Sequence, residues 1–319
     1  MRSHSKKNNL SVTGIPGTTG ILLAFDVVKK YRKNFLGFSI YRETTFKGQK
    51  KKTWLKNLLQ FPDPKIKTYE PIDSKYAPIQ KFRWSDYSVY PDTEYSYTIY
   101  GYYSGKQELV EGPSITVQTL ALDKGKHQVI FNRAVAASQA FERAFPNVNP
   151  DVYDPKSFDD DKARKWLSRG LLEKIQSYIT QATAGDRLDV CIYEFELQSI
   201  VDALNKAKKQ GAEIRIVYHA KIGDEQTLLN VASVQQLNLH VENITARLTN
   251  SITHNKFVVL SKKDAALNFQ PQQVLTGSTN FTQNGTYRQG NVVHVINDSK
   301  VAAVYSSLFE ELLNQKIFD

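Results

Sequence analysis

The sequence predicts a multidomain protein, with an N-terminal all-β sandwich over residues 11–119 and a C-terminal α/β domain over residues 120–319. A polar, basic arm at residues 1–10 precedes them. Three observations carry this. Up to Thr119 the chain is a succession of short aromatic or β-branched runs separated by Pro, Gly, Asp and Lys, the pattern of an antiparallel sandwich. Beyond it, near-continuous apolar runs alternate with stretches whose apolar residues recur at helical spacing. A length of 319 residues with 41% hydrophobic and 11% aromatic side chains sustains two cores and excludes a disordered chain.

In chain order, residues 1–10 are polar and basic and are expected to fray. Residues 21–28, 37–43, 80–84, 95–103 and 114–119 are the expected strands of the sandwich. The run Tyr90-Pro91-Asp92-Thr93-Glu94-Tyr95 resembles the P-x-T-x-Y segment of fibronectin type III domains. The resemblance implies that Tyr95 closes a corner by bonding back to the preceding turn. Between two of these strands lies a basic loop, 47–56, in which Lys50, Lys51 and Lys52 stand beside Trp54. A stacking aromatic flanked by cations suits a nucleic acid, and a core tryptophan beside a solvated loop accounts for the residues equally well.

Residues 128–141 begin as a strand and turn helical, and a loop runs from Pro146 to Pro155. Trp166, Leu167, Leu171, Ile175, Tyr178 and Ile179 give residues 162–182 the spacing of one helix. A β-α-β unit follows: a strand at 188–195, a helix at 197–210 stopped by Gly211, and a strand at 213–218, implying parallel pairing. Val301 to Leu313 reads as a closing helix. His219 has the look of an exposed strand-end residue, and His294 that of a satisfied core residue.

The candidate site lies between these last elements. Ile252, His254, Lys256, Val258 and Leu260 alternate with their neighbours, so a strand there points His254 and Lys256 from one face. A second short strand at 274–276 ends at Gly277, where a tight turn brings Ser278 and Asn280 to the same end. In-line attack on a phosphodiester needs a nucleophile, donors or cations for the non-bridging oxygens, and an acid for the leaving oxygen. Imidazole, ammonium, hydroxyl and amide supply these.

The segment resembles the H-x-K...G-S-x-N signature of the phospholipase D superfamily. The resemblance implies that His254 attacks phosphorus to form a phosphohistidine, that Lys256, Ser278 and Asn280 hold the phosphate, and that neither metal nor cofactor is needed. Gly277, Thr282 and Asn291 fall with them as substrate-binding residues, and Lys50, Lys51, Lys52 and Trp54 extend that set into the sandwich. Two family positions differ. Ser261 stands where the family has an aspartate, and Asn291-Val292-Val293 stands where it often has N-x-E, whose carboxylate orients the histidine. Glu194 is assigned that orienting role here. The family builds one site from two H-x-K motifs and this chain holds one, so a homodimer, or a partner subunit supplying the second motif, is expected.

Charge and composition narrow the class. Of a net +10, residues 1–119 hold 19 Lys and Arg against 10 Asp and Glu, and the remainder 23 against 22, so the basic excess is N-terminal and favours a polyanion. The one cysteine, Cys191, excludes an intrachain disulfide or a multi-cysteine zinc site. The apolar run Gly20 to Phe25 stops at Asp26, so neither a membrane span nor a secretory signal is expected and the reading is cytoplasmic. The expected function is a metal-independent phosphodiesterase, a nuclease, with nucleic acid as partner, DNA in preference to RNA, and no membrane. A phospholipase D or phosphatidyl transferase, and a non-catalytic nucleic-acid-binding adaptor, stand as alternatives.

Overall fold

Every second side chain of Ile21–Val27 is buried and the rest face outward, the two-residue period that lets a strand serve one core. The same alternation builds the first of two units, residues 1–122 and 123–319, of a computed structural model that describes residues 2–46, 48–59, 70–105, 109–133, 138–146, 148, 162–249 and 251–314. In unit 1 the strands are β1 Ser3–Lys7, β2 Leu10–Pro16, β3 Ile21–Val27, β4 Phe35–Phe46, β5 Gln49–Trp54, β6 Lys56–Asn57, β7 Ile72–Asp73, β8 Arg83–Asp86, β9 Glu94–Tyr103 and β10 Val110–Gln118. They form one sheet in the order β1-β2-β3-β8, a second in the order β10-β9-β4-β5, and a small β6-β7 pair. Leu10, Leu23, Phe38, Ile40, Tyr97 and Ile99 lie in the shared core.

Tyr95 behaves as the fibronectin-like segment implies: its hydroxyl accepts the Tyr90 N–H at 2.7 Å. Two expectations give way. Residues 1–10 contain a strand instead of a frayed arm, since Ser3–Lys7 pairs in register with β2 and Lys7 reaches Glu111. The basic loop is likewise a strand: β5 pairs with β4 from Phe46–Gln49 to Tyr41–Trp54. Trp54 sits outside the core. It packs on Tyr41 and Tyr100, ring centroids 5.1 Å away in each case, on the sheet face opposite Phe38 and Ile40.

Unit 2 contains β11 His127–Phe131, α1 Gln139–Ala144, α2 Lys162–Ser168, α3 Leu171–Thr180, β12 Asp186–Ile192, α4 Gln198–Lys209, β13 Glu213–Ala220, α5 Glu225–Leu237, β14 Ile244–Leu248, β15 Lys256–Lys263, β16 Phe269–Gly277, β17 Val292–Ile296 and α6 Ser299–Asn314. Its sheet runs β11-β17-β16-β15-β12-β13-β14, with β12-β13 and β13-β14 parallel and the other pairs antiparallel. The parallel β12-α4-β13 unit is the one the sequence predicts. Phe309 and Leu312 of α6 cover Cys191, Phe257, Val259 and Val274 on one face. Burial pushes the Cys191 thiol up to about 12, the mark of an inert core cysteine.

The single helix expected over 162–182 is two, because Arg169 and Gly170 both take left-handed backbone angles, φ 53° and 89°. The strand carrying the H-x-K motif starts at Lys256, so His254 precedes it. Lys47, residues 134–137 of the strand-to-helix stretch, and most of the loop between Pro146 and Pro155 lie outside the described residues.

Candidate active site

The site is assembled at one end of the unit 2 sheet. The carboxyl ends of β12 and β13 stop there, β15 starts there, and β16 ends there at Gly277; Ile192 lies opposite Lys256, and Phe257 opposite Thr276. Strand ends of this kind leave side chains projecting beyond the hydrogen-bonded ladder, where a ligand can reach them.

His254 is exposed. Its ring lies 5.1 Å from the ring of Tyr193, which lies 5.0 Å from that of His219. Lys256 is only 7% exposed; its Nζ donates to the His254 carbonyl at 3.3 Å and stands 5.2 Å from the Tyr193 ring centre. Tyr193 is thus a platform touched by the His254 imidazole and the Lys256 ammonium alike. Burial pulls the Lys256 ammonium down to about 8, against the smaller upward effect of the Glu194 carboxylate. A cation held with so little water near it has a strong incentive to meet an anion.

On the other side of the site, the Asn280 amide donates to Glu194 Oε2 at 2.5 Å, and the Phe281 N–H donates to the Glu194 carbonyl. Glu194 therefore belongs to the cluster, and the partner its carboxylate holds is Asn280, where the sequence reading has it orienting His254. One Nδ2 hydrogen of Asn280 remains beyond the bond to Glu194, available to an acceptor. Ser278 is exposed, donating to Asn291 Oδ1 at 2.8 Å and accepting the Val292 N–H at 3.1 Å.

Gly277, Thr282 and Asn291, expected to touch substrate, build the loop that presents Ser278 and Asn280. Gly277 has φ +151°, and a Cβ there would lie 2.1 Å from the Val292 carbonyl oxygen, so only glycine fits. Thr282 is buried and its hydroxyl accepts the Gly285 N–H. Asn291 is buried; its Nδ2 donates to the Gly285 carbonyl, its Oδ1 accepts from Ser278, and its N–H goes to Asn132 Oδ1. Lys50, Lys51, Lys52 and Trp54 belong to unit 1. The positions that depart from the family pattern are framework here: Ser261 is fully buried, its hydroxyl without a partner among the described residues, and Val293 is a core residue of β17.

Sequence reasoning missed the support beneath Tyr193. His219 is buried, its Nδ1 lies 3.0 Å from Oγ1 of Thr253, the residue before His254, and Asp224 Oδ2 stands 3.4 Å from its Nε2. Asn230 of α5 is fully buried, donates to the carbonyls of Tyr193 and His219, and accepts from the Phe195 N–H and Gln226. It ties together the ends of β12 and β13. Within the sequence its only signal is an amide among the apolar positions of a helix that went unrecognised. His294, expected as a core residue, is half-buried and pairs with His127 at 3.0 Å.

A sheet that ends in His254, Lys256, Ser278 and Asn280 defines a domain of the phospholipase D type. Residues 175–313 match the family described as cardiolipin synthase, PLD-like domain, and form a phospholipase D-like domain. The chain is similar to the phospholipase D family member NUC from Salmonella typhimurium, at 25% identity over 45% of this chain and 87% of that one, TM-score 0.35. It is also similar to NucT from Helicobacter pylori, at 18% identity over 46% and 89%, TM-score 0.35. A third likeness is to the FN5 domain of Drosophila Lar, at 12% identity over 36% and 95%, TM-score 0.22. No curated protein matches the chain.

Proposed function

We propose that the protein is a metal-independent phosphodiesterase acting on nucleic acid, a nuclease. The observation that carries the reading is the joint placement of an exposed imidazole, a dehydrated ammonium and a carboxylate-held amide at one sheet end. The phosphate oxygens meet Lys256, Asn280 and, once its hydroxyl turns from Asn291, Ser278. A His254 ring nitrogen attacks phosphorus, the phosphorus-oxygen bond to the leaving strand breaks, and that oxygen takes a proton from a second histidine. Water then attacks the phosphohistidine, gives its proton to the same second histidine, and releases the phosphate end and His254. A second copy of the chain supplies the second histidine. The basic excess of residues 1–119 favours a polyanion and, within that class, supports nucleic acid over lipid.

The test is cleavage of plasmid and of single-stranded DNA in excess EDTA by the wild type and by His254→Ala. Wild type is expected to cut, and His254→Ala to lose at least about three orders of magnitude in rate, as removal of a covalent nucleophile does. Release of head group from lipid vesicles with DNA left intact would replace the nuclease by a phosphatidyl transferase. Salt-sensitive binding without any turnover would make it an adaptor.

A further inference from the structure

A cavity of about 650 Å³ lies in unit 2, lined among others by Arg164, Glu196, Leu197, Asp202, Tyr287 and Arg288, none of which belongs to the phosphate cluster. It adjoins that cluster through the backbone. The Glu196 and Leu197 N–H groups donate to the Phe281 carbonyl at 3.0 and 2.8 Å, and Phe281 follows the phosphate-holding Asn280. Phe195 and Phe281 bridge as neighbouring extended segments, so Glu194 and Glu196 project to the same side, one toward Asn280 and one into the cavity.

Its chemistry is mixed in a particular way. Arg164, Leu197 and Tyr287 are buried and make the floor, with the Arg164 guanidinium 5.1 Å from the Tyr287 ring centre. Glu196 is half-buried, while Asp202 and Arg288 are exposed at the rim. The Glu196 carboxyl is raised, first by burial and then by the Glu194 charge, so it is a poorly hydrated acceptor or donor. An acyl chain in this cavity would set the buried Arg164 guanidinium and the half-buried Glu196 carboxyl against hydrocarbon, which is unfavourable. A heterocycle with donors and acceptors round its edge, carried on an anionic backbone, matches every group.

We infer that this cavity receives the base and sugar of the nucleotide next to the scissile phosphate, with Glu196 hydrogen-bonding the base edge and Arg288 meeting the adjoining phosphate. The inference rests on the nuclease reading and adds to it a subsite that accounts for recognition of nucleoside over other alcohols.

The experiment compares kcat/KM for the 4-nitrophenyl esters of thymidine 5′-phosphate and thymidine 3′-phosphate with that for methyl 4-nitrophenyl phosphate. For the wild type, one nucleoside ester is expected to exceed the methyl ester by about ten-fold or more, mainly in KM, the scale of one base contact. In Glu196→Gln/Arg288→Ala that ratio should fall to within about two-fold of unity. Leu229→Arg, at an exposed rim position that folding does not need, should lower the same ratio by narrowing the mouth. A wild type that turns over the three esters equally overturns the subsite and leaves the phosphodiesterase standing, as does a ratio that survives in both variants. Failure to turn over any ester overturns the underlying reading instead.

Discussion

At the scale of the residue, Lys256 shows how function and stability diverge. Its side chain is nearly buried and its pKa is drawn down to about 8, below the 10.5 of a solvated lysine, so the fold disfavours the charged form. The sign follows from linkage. A folded pKa below the unfolded one means a penalty fully present under pH 8 and relieved as pH climbs from about 8 toward 10.5. Lys256→Met, of similar volume and without charge, should therefore raise the melting temperature at pH 7, corresponding to about 1–3 kcal/mol. The gain should shrink as the melt is repeated between pH 8 and pH 10.5, while cleavage is lost at every pH. A variant no more stable at pH 7 would mean that the ammonium is solvated in the free protein. In the wild type, the same titration predicts that KM for a phosphodiester rises above pH 8, because the cation that meets the phosphate is discharged.

Among the elements, much was legible in the sequence where a strand's or helix's pattern is unbroken. The runs around Val190, Ile216 and Ile99 are apolar or alternating over their whole length and became β12, β13 and β9, and the P-x-T-x-Y corner was found because Tyr95 sits at a fixed offset from its turn. What was not legible depended on partners distant in the chain. Arg169 and Gly170 break a helix that the apolar spacing alone carries through, and α5 has too weak an apolar face to announce itself. The motif residues His254, Lys256, Ser278 and Asn280 could be named from spacing; the pairing of Glu194 with Asn280 and the tie through Asn230 could not, since 86 residues separate the first pair. Strand β5 shows the stake. As a loop, Lys50, Lys51 and Lys52 would act together; as a strand they alternate, placing Lys50 and Lys52 on the Trp54 face and Lys51 on the other. For DNA binding measured in a His254→Ala background, Lys50→Ala should flatten the slope of log affinity against log salt by about 1. Lys52→Ala should do less, because Glu43 already holds that ammonium at 2.6 Å, and Lys51→Ala should leave the slope alone. Equal effects from the three would show that the Trp54 face is not where the strand is bound.

The whole molecule poses a question of stoichiometry, because one H-x-K motif supplies one imidazole and the proposed reaction uses two. Five further described histidines could be asked to serve within the same chain. His219 is buried with its ring engaged by Thr253 and Asp224; His127 and His294 pair with each other; His4 bonds Thr13. His240 precedes the short helical turn before β14, well removed along the sheet from β16. A second His254 from a symmetric partner is the solution that needs no additional residue, and an isologous interface would set the two exposed imidazoles facing each other. The consequence is quantitative. When wild type and His254→Ala are unfolded together, refolded as mixtures and assayed at constant total protein, every mixed pair lacks one of the two imidazoles. Activity should then follow the square of the wild-type fraction, so an equal mixture retains about a quarter of the full rate. If each chain works alone, or draws its acid from a different subunit, the same mixture retains about half. The native mass, measured on the same samples, separates these last two, because a lone chain and a complex with another subunit differ in size while sharing the linear law.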